Sequence, residues 1–345
     1  MGGAVHRLPG HRRPRTPVTV TPDLVTIDAI RAAAHVLRGV AIRTPLVPYG
    51  ADRIFLKAES LQPIGAFKIR GAFVAIAGLT SAERDRGVIT YSSGNHAQGV
   101  ARAARLLGAP AVIVMPSDAP AIKRERVAAD GAEIVTVGPA SDERRERAEA
   151  IAAERGLAVI PPYDDDRIIA GQGTVGLEIV EDMADVAAVL VPIGGGGLAS
   201  GVAVAIKALA PRARVIGVEP ELAADARESL ARGEIVRWSA DDVARTIADG
   251  TRTQSLGRRT FAHLREHLDG IVTVSEPEIA AGVRLAAERS RLVAEPSGAL
   301  ALAAIAFRAG ELGLADFDGP VVGIVSGGNV DPELYRAYLA APLPG

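Results

Sequence analysis

Runs of mainly apolar residues, four to seven long, recur through this chain and alternate with stretches of helical spacing. They fall at Val88 to Tyr91, Ala111 to Met115, Glu133 to Val137, Ala187 to Ile193, Arg214 to Val218, Ile271 to Val274 and Val321 to Val325. A strand that is apolar on both faces has to be covered on both faces, so this rhythm predicts α/β architecture with parallel sheets and helices on either side. Helices are expected at Asn95 to Leu107, Ala121 to Ala129 and Asp142 to Arg155, near Gly173 to Met183, and from the lysine-bearing segment below to about Leu79. Thr26 to Leu37 carries Ile27, Ile30, Ala34 and Leu37 at helical intervals, with Thr26 as its cap and Gly39 as its stop.

At 345 residues more than one core is expected. The regular stretch from Gly87 to Asp164 reads as a small lobe inserted into a larger one. That gives a flexible tail at 1–21, a large domain from 22–86 plus 165–345, and a small domain at 87–164. With 39 basic and 41 acidic residues the net charge is -2, which argues against nucleic acid or a membrane surface as partner and favours a small molecule. Cysteine is absent, which rules out disulfides, thiolate nucleophiles and cysteine-bound metals, and suits a cytoplasmic location. No apolar run of about eighteen residues occurs. Residues 1–21, rich in arginine, histidine and proline, lack the apolar stretch of a secretory signal.

The segment SLQPIGAFKIRGA, Ser60 to Ala72, places Lys68 between a turn and an apolar helical run. Leu61, Ile64, Ala66 and Phe67 surround it with apolar side chains. Desolvation disfavours an ammonium, so this lysine is a candidate for Schiff-base formation with an aldehyde cofactor, against the plainer alternative of a surface lysine at a helix start. Gly194 to Gly197 follow an apolar run and precede a helix, which lets backbone N–H groups converge on a phosphate. The same stretch supports a competing reading. Gly194, Gly196 and Ala199 satisfy G-x-G-x-x-A, with Glu219 about twenty residues on, as in a nicotinamide-dependent dehydrogenase. That reading leaves Lys68 without a role, and equally YSSGNHAQG (Tyr91 to Gly99) and IVSGGN (Ile324 to Asn329). In the first of these Ser93, Gly94 and Asn95 offer donors at a helix start, where helix capping is the alternative. In the second, Ser326 can face a ring nitrogen.

Taken together, SLQPIGAFKIRGA, SSGNHAQG, GGGGLASG and SGGN resemble the threonine dehydratase and serine racemase family of pyridoxal-phosphate enzymes, whose two-lobed fold is shared with tryptophan synthase β (fold type II). The resemblance runs from about Thr26 to the C-terminus. It implies that Lys68 holds pyridoxal 5'-phosphate as a Schiff base beside Phe67, that Gly194, Gly195, Gly196 and Gly197 bind its phosphate, that Asn95 bonds the ring hydroxyl and that Ser326 faces the ring nitrogen. It also implies that Ser92, Asn95 and His96 hold the substrate carboxylate, and that Ser93 lies on the cofactor face opposite the lysine. Arg145 matches an arginine that reaches a substrate carboxylate in serine racemase, although its charge-rich helix also reads as a solvated face. A homodimer is implied by the same resemblance.

A serine at the ring nitrogen makes the ring a weaker electron sink than an aspartate would, which favours elimination over transamination. The expected reaction is that of a threonine or serine ammonia-lyase: Lys68 takes the α-proton, the β-hydroxyl leaves, and a 2-keto acid and ammonia result. Serine racemisation, with Ser93 returning the proton, and dehydration of 3-hydroxyaspartate are the nearest alternatives. Glu219 and Asp225, with the Ala223 carbonyl, are spaced to hold a hard cation such as magnesium, similar to the divalent-cation site of the racemase branch. Tyr163 in PPYDDD lies where substrate choice is set, and Glu295 before Pro296 serves either the ring or the dipole of the next helix. The loop DGTRTQSLG, Asp249 to Gly257, differs from that of the racemase, so the exact amino acid is left open.

Overall fold

A computed structural model describes residues 23–50, 53–92, 94–117, 119, 121–138 and 141–344. The expected tail at 1–21 and the candidate Ser93 lie outside the described residues. Helix α1 (Ile27–Val36) starts where expected, with the Thr26 hydroxyl accepting from the Ala29 N–H. Strands β1 (Leu46–Pro48) and β2 (Ile54–Ala58) lead to helices α2 (Lys68–Ala77) and α3 (Ser81–Arg86). Next come β3 (Val88–Tyr91), α4 (Asn95–Leu107), β4 (Ala111–Pro116), α5 (Ala121–Ala129), β5 (Glu133–Val137), α6 (Ser141–Arg155) and β6 (Ala158–Val159). The chain continues through α7 (Asp166–Asp182), β7 (Ala188–Pro192), α8 (Gly197–Leu209), β8 (Arg214–Pro220), α9 (Asp225–Arg232), α10 (Ala240–Ala244) and α11 (Arg258–His267). It closes with β9 (Gly270–Val274), α12 (Glu276–Ser290), α13 (Pro296–Phe307), α14 (Ala309–Leu312), β10 (Val321–Val325) and α15 (Pro332–Ala340).

Two sheets result. One has the order β1-β2-β10-β7-β8-β9, parallel throughout except for the antiparallel β1–β2 pair; the other is wholly parallel, β5-β4-β3-β6. Side chains alternate across the larger sheet as strand geometry requires. Leu190, Ile216 and Val325 face α12 and α13, while Val189, Val191 and Ile324 face α8 and α11. Helix α13 is apolar on all sides and correspondingly buried. In the smaller sheet Ile113 and Met115 pack on α4 and α2, and Val112 and Val114 on α6. Each fully buried Val, Leu or Ile contributes about 1.5 to 3 kcal/mol relative to exposure.

Helix α7 begins seven residues before the Gly173 expected from sequence. Asp165 caps it, accepting from the Arg167 N–H at 2.8 Å. Its glycines lower intrinsic helicity by about 1 kcal/mol each relative to alanine, which hides the helix from a propensity reading. The same glycines let it touch its neighbours backbone to backbone. A Cβ on Gly171 would lie 2.7 Å from the Gly71 Cα in α2, and one on Gly173 would lie 2.9 Å from the Gly201 carbonyl in α8. Helices α2 and α8, which open with Lys68 and with the glycine run, are thus held at short range by one intervening helix. Five further helices and strands were not anticipated: β1, which carries Pro48 and is three residues long, α3, β6, which has two residues, the four-residue α14, and α15.

Candidate active site

The larger sheet directs the carboxyl ends of β10 and β7 toward one side, and the sequence stretches singled out above meet there. Lys68 is the first residue of α2. The chain just before it is held by an isolated bridge between Ala66 and Gly327 and by the Phe67 N–H donating to the Ser326 carbonyl at 3.1 Å. The half-buried Lys68 amine donates to the Pro162 carbonyl at 2.7 Å and lies 5.2 Å from the centre of the Phe67 ring. Burial pulls its pKa down to about 8. Its place at the positive end of a helix works in the same direction. About a fifth of such an amine is neutral near pH 7.4, against about a thousandth for an ordinary lysine, and its half-buried place argues against the surface-lysine alternative.

The glycine run joins β7 to α8. Gly196 occupies the N-cap with φ +91, a conformation that disfavours any side chain, and a Cβ there would also meet Thr260 at 2.9 Å. The Thr260 hydroxyl donates to the Gly195 carbonyl at 2.8 Å, which sets the loop. Because no side chain caps α8, its first N–H groups remain available to an anion. Tyr163 lies across the loop: a Cβ on Gly195 would overlap its ring, and its hydroxyl donates to the Ser255 carbonyl at 3.3 Å. Burial pushes the Tyr163 phenol up to about 12, so it stays protonated. A low-pKa amine and an uncapped glycine cradle, both set against the Pro162–Tyr163 segment, are what a phosphate-bearing aldehyde requires, so these residues fit pyridoxal phosphate.

Asn95 sits at the start of α4, yet it does not cap. Gly94 holds the N-cap, and the Asn95 amide donates to Glu295 at 2.5 Å and accepts from Asn329 at 2.8 Å. The capping explanation of this asparagine is thereby corrected, and both of its amide atoms are oriented. Glu295 does not cap α13 with its side chain; burial, reinforced by Asp249, pushes its carboxyl up to about 7. Ser326 is buried at the end of β10, its hydroxyl 3.4 Å from the Ser297 carbonyl. The Ser92 hydroxyl accepts from the Gly94 N–H at 3.3 Å. The His96 ring is turned into the small sheet, with Nε2 donating to the Ile160 carbonyl at 3.0 Å. Burial, together with the nearby Lys68 amine, drives its pKa down to about 3, so the ring is neutral. Arg145 is on the exposed side of α6, close enough to Tyr91 to oppose the burial-driven rise of that phenol.

Asp164 was not singled out from sequence. Its carboxylate accepts the N–H groups of Arg258, Arg259 and Thr260 at 3.1, 2.8 and 3.2 Å, capping α11 from ninety-odd residues away. Its signal was its place in PPYDDD, beside Tyr163, but the helix it caps could not be located from sequence alone. Glu219 and Asp225 lie at the turn from β8 to α9, with Asp225 close enough to Tyr163 to raise its phenol further. Glu219 is fully buried and accepts from the N–H groups of Ala226 and Arg227 at 3.0 and 2.8 Å. Each Glu219 oxygen thus already carries one backbone N–H and keeps one further lone pair. Burial raises both carboxyls, with Asp225 further raising Glu219, and Asp225 reaches about 7. The Asp225 Oδ2 is buried without a partner. Among the described residues no group of three or more His, Cys, Asp or Glu side chains converges on a metal position. The two carboxylates still fit a hard cation completed by carbonyl or water oxygens.

The profile of a family described as "Pyridoxal-phosphate dependent enzyme" matches residues 37–327. The chain belongs to that family. The L-threo-3-hydroxyaspartate ammonia-lyase of Saccharomyces cerevisiae is 44% identical over 294 residues, 85% of this chain and 88% of that protein. The L-threonine ammonia-lyase of Thermotoga maritima is 42% identical, over 90% of this chain and 77% of its own. Among solved structures, maize serine racemase superposes with a TM-score of 0.86 at 37% identity, covering 91% of this chain and 97% of that one. The family's tryptophan synthase β-like fold is the one described above.

Proposed function

We propose that this protein is a pyridoxal-phosphate-dependent ammonia-lyase acting on a small β-hydroxy amino acid, with threonine and serine first among substrates. The observation that carries this reading is the Lys68 amine, lowered to about 8 and held toward Pro162, at the site where the glycine cradle and Asn95 also gather. Lys68 would hold the cofactor aldehyde, Gly194 to Gly197 and the start of α8 its phosphate, Asn95 the ring oxygen, and Ser326 the ring nitrogen. Pyridoxal phosphate supplies an aldehyde that captures amines and a ring that withdraws electrons from the substrate Cα.

The chain's own residues do the remaining work. The neutral Nζ of Lys68 accepts the Cα proton, and the first N–H groups of α4, with Ser92, orient the substrate carboxylate. The His96 ring uses Nε2 on the Ile160 carbonyl and leaves Nδ1 without a partner, so Nδ1 and the backbone N–H are what remain for the substrate. The segment from Pro162 to Asp164 bridges the lysine, the glycine loop and α11, and shields the site from water. A second reading, 3-hydroxyaspartate as substrate, is supported by the yeast relative and by Arg145 and Arg237, which act electrostatically on Tyr91 and Tyr163. Glu219 and Asp225 would hold a divalent cation that supports the β8–α9 turn.

Purified protein should show a near-visible absorption band that borohydride abolishes. Incubation with L-threonine, L-serine, D-serine and L-threo-3-hydroxyaspartate should release keto acid and ammonia, with the ratio of kcat/KM values ranking the substrates. Absence of the band together with absence of keto acid from all four would refute the reading.

A further inference from the structure

Helix α2 begins in a way that should let it fray. No side chain caps it, its N-cap is Phe67, and the first helical residue is a lysine rather than an acid. Something else must hold its first turn if the Lys68 amine is to keep one position. That turn contains Arg70, 1% exposed, whose guanidinium is engaged on every side. It donates to Glu59 from Nε and Nη2 (both 2.8 Å), to Glu178 from Nη1 and Nη2 (2.6 and 2.9 Å), to the Thr174 hydroxyl (3.0 Å) and to the Ile42 carbonyl (3.1 Å). Lys57 in β2, also fully buried, donates to Glu178 at 2.6 Å and to the Thr44 carbonyl at 2.7 Å. Glu59 additionally accepts from Thr44 and Gln62.

The cluster holds two cations and two anions, so it is neutral overall and its charges are mutually compensated. It ties α2 to β2, to α7 and to the chain before β1. Burial opposes ionisation of Glu59, but the Arg70 guanidinium keeps its carboxyl below the usual range. A buried ionic network is a poor source of net stability, since hydrophobic replacements are often as stable. What it does supply is a single geometry, because five N–H donors of one planar group, shared among six acceptor contacts, admit little displacement.

We propose that Arg70, clamped by Glu59 and Glu178, is a positioning residue for Lys68, acting by locking the uncapped first turn of α2. This inference rests on Lys68 being the cofactor lysine. The clamp acts on the amine through two residues of helix, with no contact to substrate or cofactor.

The experiment compares wild type, Arg70→Lys, Glu178→Gln and a distant core variant, Leu285→Ala. Each is stripped of cofactor with hydroxylamine and then offered pyridoxal phosphate across a pH series. The borohydride-trapped adduct on the tryptic fragment containing position 68 is quantified by mass, and melting temperature is measured in parallel. Arg70→Lys and Glu178→Gln should raise the pH midpoint of adduct formation by roughly one unit, toward that of an ordinary lysine. Leu285→Ala should lower the melting temperature and leave the midpoint where it is in wild type. If Arg70→Lys fails to fold, Glu178→Gln alone decides, because it keeps the side-chain shape and removes one charge. Midpoints unchanged in the clamp variants, with melting lowered, would overturn the proposal and leave the cluster a purely structural one. A wild type that forms no adduct at position 68 would instead sink the functional reading on which the proposal rests.

Discussion

The Lys68 amine and the Pro162 carbonyl, 94 residues apart, are joined by a 2.7 Å hydrogen bond. This bond gives the half-buried amine a polar partner without giving it a counter-charge. A carbonyl satisfies the N–H of either protonation state but adds no carboxylate to favour the ammonium. The lysine can therefore be ordered while losing its proton far more readily than an ordinary lysine.

That arrangement has a cost in the cofactor-free protein, and its sign can be worked out. A lysine lowered from 10.5 to about 8 binds fewer protons folded than unfolded between those pH values. Stability therefore rises with pH across that window, and the full penalty applies below it. Lys68→Met should stabilise the cofactor-free protein by about 1 to 3 kcal/mol at pH 7, with the gain fading between pH 8 and 10.5. Chemical denaturation at pH 7 and pH 10 measures this. The same variant should lose turnover and the near-visible band.

Gly195→Ala places a methyl where the Tyr163 ring packs, and one of the two must move. Cofactor affinity should fall by at least about tenfold, as followed by absorbance titration with pyridoxal phosphate. Tyr163→Ala in the same chain should restore part of that loss. Two independent, additive losses would show that the ring and the loop do not set each other's position.

Glu295 is raised from 4.5 to about 7, so the folded protein binds more protons than the unfolded one between those values. Stability should fall as pH climbs through this window. Glu295→Gln, which can still accept from Asn95, should flatten that slope and gain about 1 to 3 kcal/mol at pH 7.5 relative to pH 4.5. Urea denaturation at the two pH values, wild type against variant, supplies the test.

Asp225, raised from 3.8 to about 7 beside buried Glu219, has the same sign: stability is lost as pH rises through that range. A bound cation would reverse the balance by favouring both ionised carboxylates. Magnesium should therefore raise the melting temperature at pH 7.5 by a few degrees, a chelator should undo this, and Asp225→Asn should abolish the response. Identical melting curves with magnesium, with chelator and in the variant would exclude a cation at this turn.

Most strands were legible because runs such as Val321 to Val325 are apolar on both faces, a pattern that few other local structures produce. The glycine run and SGGN were legible because each places glycines at a strand end, and the lysine because it opens an apolar helix. The first seven residues of α7 were not, since its glycines speak against a helix locally and their packing against α2 and α8 is visible only after folding. Asp164 was hidden for a related reason: a cap supplied from ninety-odd residues away leaves no mark near the helix it serves.

Chain periodicity thus determined the parallel α/β frame on its own, because it depends on local order along the backbone, and the four motifs pointed to the type of chemistry through the family they resemble. The state of Lys68, the orientation of Asn95 and the clamp on Arg70 were decided by the tertiary structure. Desolvation and directed hydrogen bonds arise only when segments distant in sequence enclose a group together, and no local pattern encodes that enclosure.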